Sequence, residues 1–171
     1  MNTIQKIKYM FFDVDGTLTD GKIYMGNDGE LFKAFDIKDG CAIHDILPEL
    51  GILPVVITAR YSKIVENRCK ELNIEHCYQG VRNKKGKMLE LLKSWGVTSD
   101  ENEKFQEVAY VGDDIIDLPC MEICGFSACP KDAVEEVKQI ATYISRYAGG
   151  NGVVRDIVEM YRKSVCNEKC Y

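Results

Sequence analysis

No stretch of this sequence approaches the roughly 18 uninterrupted apolar residues of a membrane-spanning helix, and its opening residues, including Asn2, Gln5, Lys6 and Lys8, lack the apolar centre of a secretory signal. A cytoplasmic protein with no membrane partner is therefore expected. Basic charge is not in excess either: 22 Lys and Arg against 27 Asp and Glu leave a formal net charge of −5, which argues against a nucleic-acid partner. The eight cysteines include no Cys-x-x-Cys hook, so a zinc site does not explain them. Cys41, Cys69, Cys120, Cys124 and Cys129 fall in or around predicted helices and strands, where reduced, mostly buried thiols are expected; only Cys166 and Cys170, in the charged tail, are spaced to oxidise. Repeats, low-complexity segments and linkers are also missing. With 171 residues, 46% of them apolar, the chain has material for one well-buried core, so a single domain over residues 1–171 is expected.

What is present is alternation. Residues 8–13 form a short aromatic and apolar run that ends in an acidic, glycine-containing turn, the pattern of a central buried strand. Residues 22–35 flank Gly26-Asn27-Asp28-Gly29, a hairpin turn standing apart from the sheet pattern. After Asp39-Gly40, Ile43, Ile46, Leu47 and Leu50 recur at helical spacing, with Pro48 as a kink or early stop. Strands then follow over 53–58, 76–78 and 108–111 and near Phe126 and Tyr143. Helices fall between and after them, over 62–72, 85–95, 116–123, 133–140 and, beyond a Gly149-Gly150 turn, 153–161. Such alternation implies a three-layer α/β sandwich with a central parallel sheet, Rossmann-like, whose ligands bind beyond the carboxyl ends of its strands.

Three charged sites lie immediately after predicted strands: Asp13-Val14-Asp15-Gly16-Thr17, Thr58-Ala59-Arg60 and Gly112-Asp113-Asp114-Ile115-Ile116-Asp117. A parallel sheet brings them to one edge, within reach of Lys84. Carboxylates converging there would repel one another unless a divalent cation held them, and acidic oxygen ligands favour magnesium over zinc or copper. With a lysine and a threonine hydroxyl added, the pocket suits a dianionic phosphate, whose transfer needs charge neutralisation and in-line positioning. One carboxylate can act as nucleophile while an acid two residues on protonates the leaving oxygen. Each piece alone has an ordinary explanation: a strand-end Asp can be a helix cap, Thr58 a plain strand-end residue and Lys84 part of a solvated basic face. Their joint placement favours the chemical reading.

These motifs, in this order, resemble the haloacid dehalogenase-like hydrolases. The resemblance implies that Asp13 is the nucleophile, Asp15 the general acid and base, and Thr58 and Lys84 phosphate ligands. It also implies that Mg2+ is held by Asp13, the backbone carbonyl of Asp15 and Asp113, with Asp114 or Asp117 supporting the metal or orienting Lys84. The space after the first motif holds only the hairpin and no cap domain. Leu18-Thr19-Asp20-Gly21, the hairpin, Phe35 through Asp39-Gly40, Gln79-Gly80-x-x-x-Lys84 and Gly149-Gly150-Asn151-Gly152 are further similar to the capless 3-deoxy-D-manno-octulosonate 8-phosphate phosphatases. That group implies a homotetramer assembled through the hairpin, with active sites completed by neighbouring subunits, and a small-molecule sugar phosphate as substrate.

The resemblance makes Arg60 the residue that bears on the substrate: in the octulosonate enzymes the corresponding Thr-Gly-Arg supplies an arginine near the sugar acid, and a guanidinium can pair bidentately with the carboxylate of a 2-keto acid. The corresponding position in enzymes of the nine-carbon, sialic-acid-type branch can carry glutamate. Two positions depart from the group: Ala59 replaces its usual glycine, and Lys38 stands where arginine is frequent. Three other readings are a phosphatase for nine-carbon sugar acid 9-phosphates, a protein phosphatase with an open site, and a non-catalytic tetramerisation module. The last of these predicts erosion of the nucleophile or metal site.

Overall fold

The computed structural model describes residues 7–167. From β1 (Tyr9–Phe12) the chain turns through the first acidic motif into a hairpin, β2 (Tyr24–Gly26) and β3 (Gly29–Phe32). A helical stretch follows: α1 (Ile37–Cys41), a π-helical turn (Ala42–Ile46) and α2 (Leu47–Glu49). Next come β4 (Leu53–Ile57), α3 (Lys63–Glu71), β5 (His76–Tyr78), α4 (Lys84–Ser94) and β6 (Phe105–Val111). The chain ends with α5 (Leu118–Met121), β7 (Cys124–Cys129), α6 (Glu135–Ile140), β8 (Tyr143–Ile144) and α7 (Val153–Asn167).

Six strands form one parallel sheet in the order β5-β4-β1-β6-β7-β8, and β2 and β3 form a separate antiparallel pair. Both faces of the sheet are covered, so its strands bury side chains alternately on each side. Met10, Phe12, Val56, Ala109 and Val111 pack with the π-helical turn, α2, α3 and α7. Phe11, Val55, Ile57, Val108 and Tyr110 pack with α4, α5 and α6. This is the expected three-layer α/β sandwich. The chain runs outward from β1 through β4 and β5, then returns to the other side of β1 with β6, which makes the β1/β6 boundary the switch point where such sheets bind ligands. Phe12 is level with both Val56 and Val111, so Asp13, Thr58 and Asp113 emerge at similar heights on that edge.

The helical stretch differs from the sequence expectation at its start. Asp39 and Gly40 lie inside α1 and do not precede it, because Asp36 takes the N-cap: its Oδ1 accepts from the Lys38 and Asp39 backbone N–H groups at 2.6 and 3.4 Å. Pro48 does not stop the helix at once. The Leu47 N–H reaches back to the Ala42 carbonyl, a π turn that widens the ladder just before the residue that has no N–H to give. β6 begins three residues before the expected 108, where the half-buried Phe105, Gln106 and Glu107 mask the apolar signal. α5 is shorter than the expected 116–123, because residues 113–117 close a turn around the Asp117 carboxylate. α7 runs past the expected end at Tyr161.

The six cysteines whose side chains are described are free thiols, buried or half-buried; the Cys166–Cys170 pair falls outside the described side chains. Among the described residues no helix is long and apolar enough to cross a membrane.

Asp39 ties α1 to α7. Its carboxylate accepts from the Arg155 N–H at 2.8 Å and from the Gly152 N–H at 3.3 Å, capping a helix more than a hundred residues away. Burial is the largest influence on this group and pushes it up to about 6, with the Arg155, Gly152 and Val154 backbone N–H groups opposing the shift and Asp36 adding to it. The folded chain therefore holds this proton more tightly than the unfolded chain. The stabilising contribution is fully present below pH 4 and is lost as the pH rises through 6. Comparing urea denaturation of wild type and Asp39→Asn at pH 4.5 and pH 7 should show a stability difference that shifts in favour of the variant at the higher pH, by up to about 3 kcal/mol.

Candidate active site

The site is built at the switch-point edge. β1 delivers Asp13, whose N–H bonds the Val111 carbonyl at 3.0 Å. The chain then folds into a tight loop in which Gly16 is at φ +98°, and a Cβ there would lie 2.0 Å from Asp113 Oδ2. Only glycine allows both that conformation and that approach. Gly149, from the loop before α7, seals the other side: its Cβ would meet the Gly16 carbonyl oxygen at 1.8 Å. β6 delivers Asp113, which accepts from Thr17 Oγ1 at 2.9 Å, and the end of β4 delivers the buried Thr58 with Ala59 and Arg60 beside it.

At the centre is Lys84, at the start of α4, only 1% exposed. Its Nζ donates to Asp13 Oδ1 at 2.6 Å and to Asp117 Oδ1 at 2.7 Å. Asp117 Oδ1 also accepts from the Tyr110 hydroxyl at 2.8 Å, while its Oδ2 takes the Asp113 and Asp114 N–H groups at 3.1 and 3.3 Å. Four donors saturate that carboxylate, so Asp117 orients Lys84 and the acidic loop. Asp114 is turned outward, its Oδ1 accepting from the Ile115 N–H, and takes no part in holding the lysine.

Charge at this point is unbalanced. Burial, and then the Asp117 charge, push Asp13 up to about 7 against the pull of Lys84. Burial, and then Asp13 and Asp117, push Asp113 up to about 8. For Lys84, burial opposes the charge, but Asp13 and Asp117 more than offset it and hold the ammonium above the ordinary lysine value. Oxygens of Asp13, Asp113 and Asp117 lie within 4.8 Å of one another. Two carboxylates pushed toward protonation at neutral pH, offering hard oxygen donors at that spacing, fit a divalent cation of the magnesium type.

Sequence reasoning brought Asp13, Asp15, Thr58, Ala59, Arg60, Lys84, Asp113 and Asp117 to this edge, but missed a second layer. Thr17 was visible inside the first motif. Tyr110 reads as one more apolar strand residue, and only its facing Asp117 gives it a polar task. The hairpin residues Glu30 and Lys33 carry no motif at all, yet Lys33 pairs with Asp15 and with Glu30, and Glu30 with Ser62 and Arg60. The hairpin thus touches the site of its own chain.

A family model for haloacid dehalogenase-like hydrolases matches residues 83–157. A 3-deoxy-D-manno-octulosonate 8-phosphate phosphatase of Escherichia coli is 42% identical over 160 residues, which span 94% of this chain and 81% of the relative. Among solved structures, the corresponding phosphatase of Moraxella catarrhalis, in complex with a magnesium ion, a phosphate ion and a KDO molecule, superposes with a TM-score of 0.86 at 34% identity, covering 95% of this chain and 89% of the other. A cobalt-bound deoxy-D-mannose-octulosonate 8-phosphate phosphatase of Haemophilus influenzae gives 0.86 at 32% identity, covering 95% and 91%.

Because Lys84 compensates two buried carboxylates, Lys84→Met should lower stability by about 3–5 kcal/mol at pH 8. The loss should shrink at pH 5, below the value of about 7 at which Asp13 takes up its proton. Urea denaturation at the two pH values measures both.

Proposed function

The chain belongs to the 3-deoxy-D-manno-octulosonate 8-phosphate phosphatases of the haloacid dehalogenase-like hydrolases, and we propose that it is a magnesium-dependent phosphatase that hydrolyses this eight-carbon sugar phosphate through an aspartyl-phosphate on Asp13. The observation that carries the reading is the buried Lys84 held against Asp13 beside the Asp113 carboxylate, a charge pattern shaped for a dianionic phosphate and a cation.

Asp13 Oδ1 is held by Lys84, which orients the carboxylate for in-line attack on phosphorus. As the phosphorus–oxygen bond to the sugar breaks, Asp15 supplies a proton to the departing alkoxide. It then takes a proton from the water that cleaves the acyl phosphate. Lys84 and the Thr58 hydroxyl bind the transferring phosphoryl oxygens. Asp13, the Asp15 backbone carbonyl and Asp113 would hold magnesium, which when bound neutralises charge on the phosphate and on these carboxylates. Asp117 and Tyr110 keep Lys84 in place.

Arg60 reads the substrate. One of its terminal nitrogens faces Glu30 at 3.5 Å, and the other is buried with no partner among the described residues, so the guanidinium keeps donor capacity that a sugar carboxylate would take up once the side chain turns toward it. The non-catalytic reading requires a lost nucleophile or metal site, and Asp13, Asp15, Thr58, Lys84 and Asp113 are all retained.

Assembly as a homotetramer through the hairpin is part of the same proposal. Ile23, Met25, Leu31 and Phe32 are between 50% and 63% exposed there, and a lone two-stranded ribbon gains little from displaying them to water.

Purified protein should release phosphate from the eight-carbon compound in magnesium, and chelator should abolish the release. Asp13→Asn should lower kcat by at least about a thousandfold. Preference for the nine-carbon 9-phosphate would instead place the substrate in the neighbouring branch with the chemistry unchanged. Light scattering should give the mass of a tetramer, and Leu31→Asp combined with Phe32→Asp should reduce it; an unchanged mass would remove the hairpin from the interface.

A further inference from the structure

Lys33 is hard to explain as part of an assembly ribbon. Its outward-facing neighbours on β3, Leu31 and Phe32, are among the most exposed apolar residues in the chain, whereas the Lys33 side chain is only 1% exposed. An ammonium withdrawn that far from water needs specific partners. It has two: Asp15 Oδ1, and Glu30 Oε1 at 3.0 Å. Glu30 is anchored in turn, its Oε2 accepting from the Ser62 hydroxyl and its Oε1 facing the Arg60 guanidinium at 3.5 Å. Ser62 is fixed from the other side, its N–H donating to Gln79 Oε1 at 2.8 Å. A chain of contacts therefore runs from the start of α3, through two hairpin residues, to one oxygen of Asp15.

We propose that Lys33 is a positioning residue for Asp15, and that Glu30 is the brace that fixes Lys33 to Ser62 and Arg60. The proposal rests on the reading of Asp15 as general acid and base. A carboxyl group that carries its proton on one oxygen when the phosphate binds, gives it to the leaving alkoxide and takes one back from the attacking water works best with its other oxygen fixed. Lys33 engages Oδ1, and no described side chain or backbone donor is hydrogen-bonded to Oδ2. With Oδ1 held, the free oxygen faces the leaving group in the first step and the attacking water in the second without a search over side-chain rotamers. The loop after β1 could not hold Asp15 in this way by itself, since Gly16 follows immediately and supplies no side chain. The hairpin thus has two faces with separate tasks: an apolar outer face, and an inner pair of charges that complete the proton-transfer geometry of its own subunit.

Leaving-group dependence separates this role from a structural one. A sugar alkoxide must be protonated as it leaves, whereas the nitrophenolate of p-nitrophenyl phosphate is weakly basic and leaves without help. Lys33→Met should lower kcat for the sugar phosphate by about tenfold to a hundredfold, and kcat for p-nitrophenyl phosphate by less than about threefold. Glu30→Gln, which loosens the brace but keeps the lysine, should shift the ratio of the two rates in the same direction by a smaller factor. That ratio does not depend on the fraction of folded protein, so partial misfolding cannot imitate the result. An unchanged ratio in both variants, including equal loss of both activities, would overturn the proposal. The contrast can be made with any alkyl phosphate monoester that wild type accepts, so failure on the eight-carbon substrate would count against the functional reading alone.

Discussion

The burial of one ammonium between two carboxylates organises the molecule. Lys84 sits where the β1 loop, α4 and the turn after β6 meet, and it bonds an acid from each of the two strand ends. Removing three charged groups from water is costly unless their remaining hydrogen-bonding positions are filled. The Tyr110 hydroxyl and two backbone N–H groups meet that condition at Asp117. The glycines that let the surrounding loops close, Gly16 against Asp113 and Gly149 against Gly16, serve the same centre. Stability and chemistry are therefore tied to one cluster.

The cluster is satisfied in hydrogen bonds but not in charge. Lys84 offsets only part of the negative potential of Asp13, Asp113 and Asp117, and the two acids that face the pocket are pushed up to about 7 and about 8. A cation and a phosphate supply what is missing in opposite senses: the cation relieves the carboxylates, and the phosphate uses the lysine and the cation together. Relatives that carry magnesium and phosphate, or cobalt, share this fold over nearly the whole chain. The hairpin reaches the acidic cluster through Glu30 and Lys33, which pair with each other and, through Lys33, with Asp15.

Some features resisted reading from the sequence for identifiable reasons. The start of α1 is ambiguous in sequence because Asp36 and Asp39 are both acceptable caps in isolation; packing against α7 commits Asp39 to Arg155 and Gly152 and leaves the N-cap to Asp36. The early residues of β6 looked polar because that end of the strand is only half covered. Asp114 and Asp117 were equivalent candidates for holding Lys84, and only the turn geometry after β6 points one inward and the other to solvent.

The strands, their order as alternating units and the acids at their ends were legible because they rest on local rules: period-two burial, turn chemistry and the position of charges at strand ends. From these followed the α/β sandwich and the shared edge with its charged residues, while the roles of Asp13, Asp15, Thr58, Arg60, Lys84, Asp113 and Asp117 came with the resemblance to a family. Only tertiary structure decided which carboxylate each cation chose, that Tyr110 supports Asp117 and that the hairpin turns Lys33 onto Asp15. Those choices depend on the direction of side chains on elements distant in sequence. An exposed-looking lysine in a two-stranded ribbon has no local signal that it will be buried; the partner that pulls it from water lies eighteen residues earlier, at the end of a different sheet.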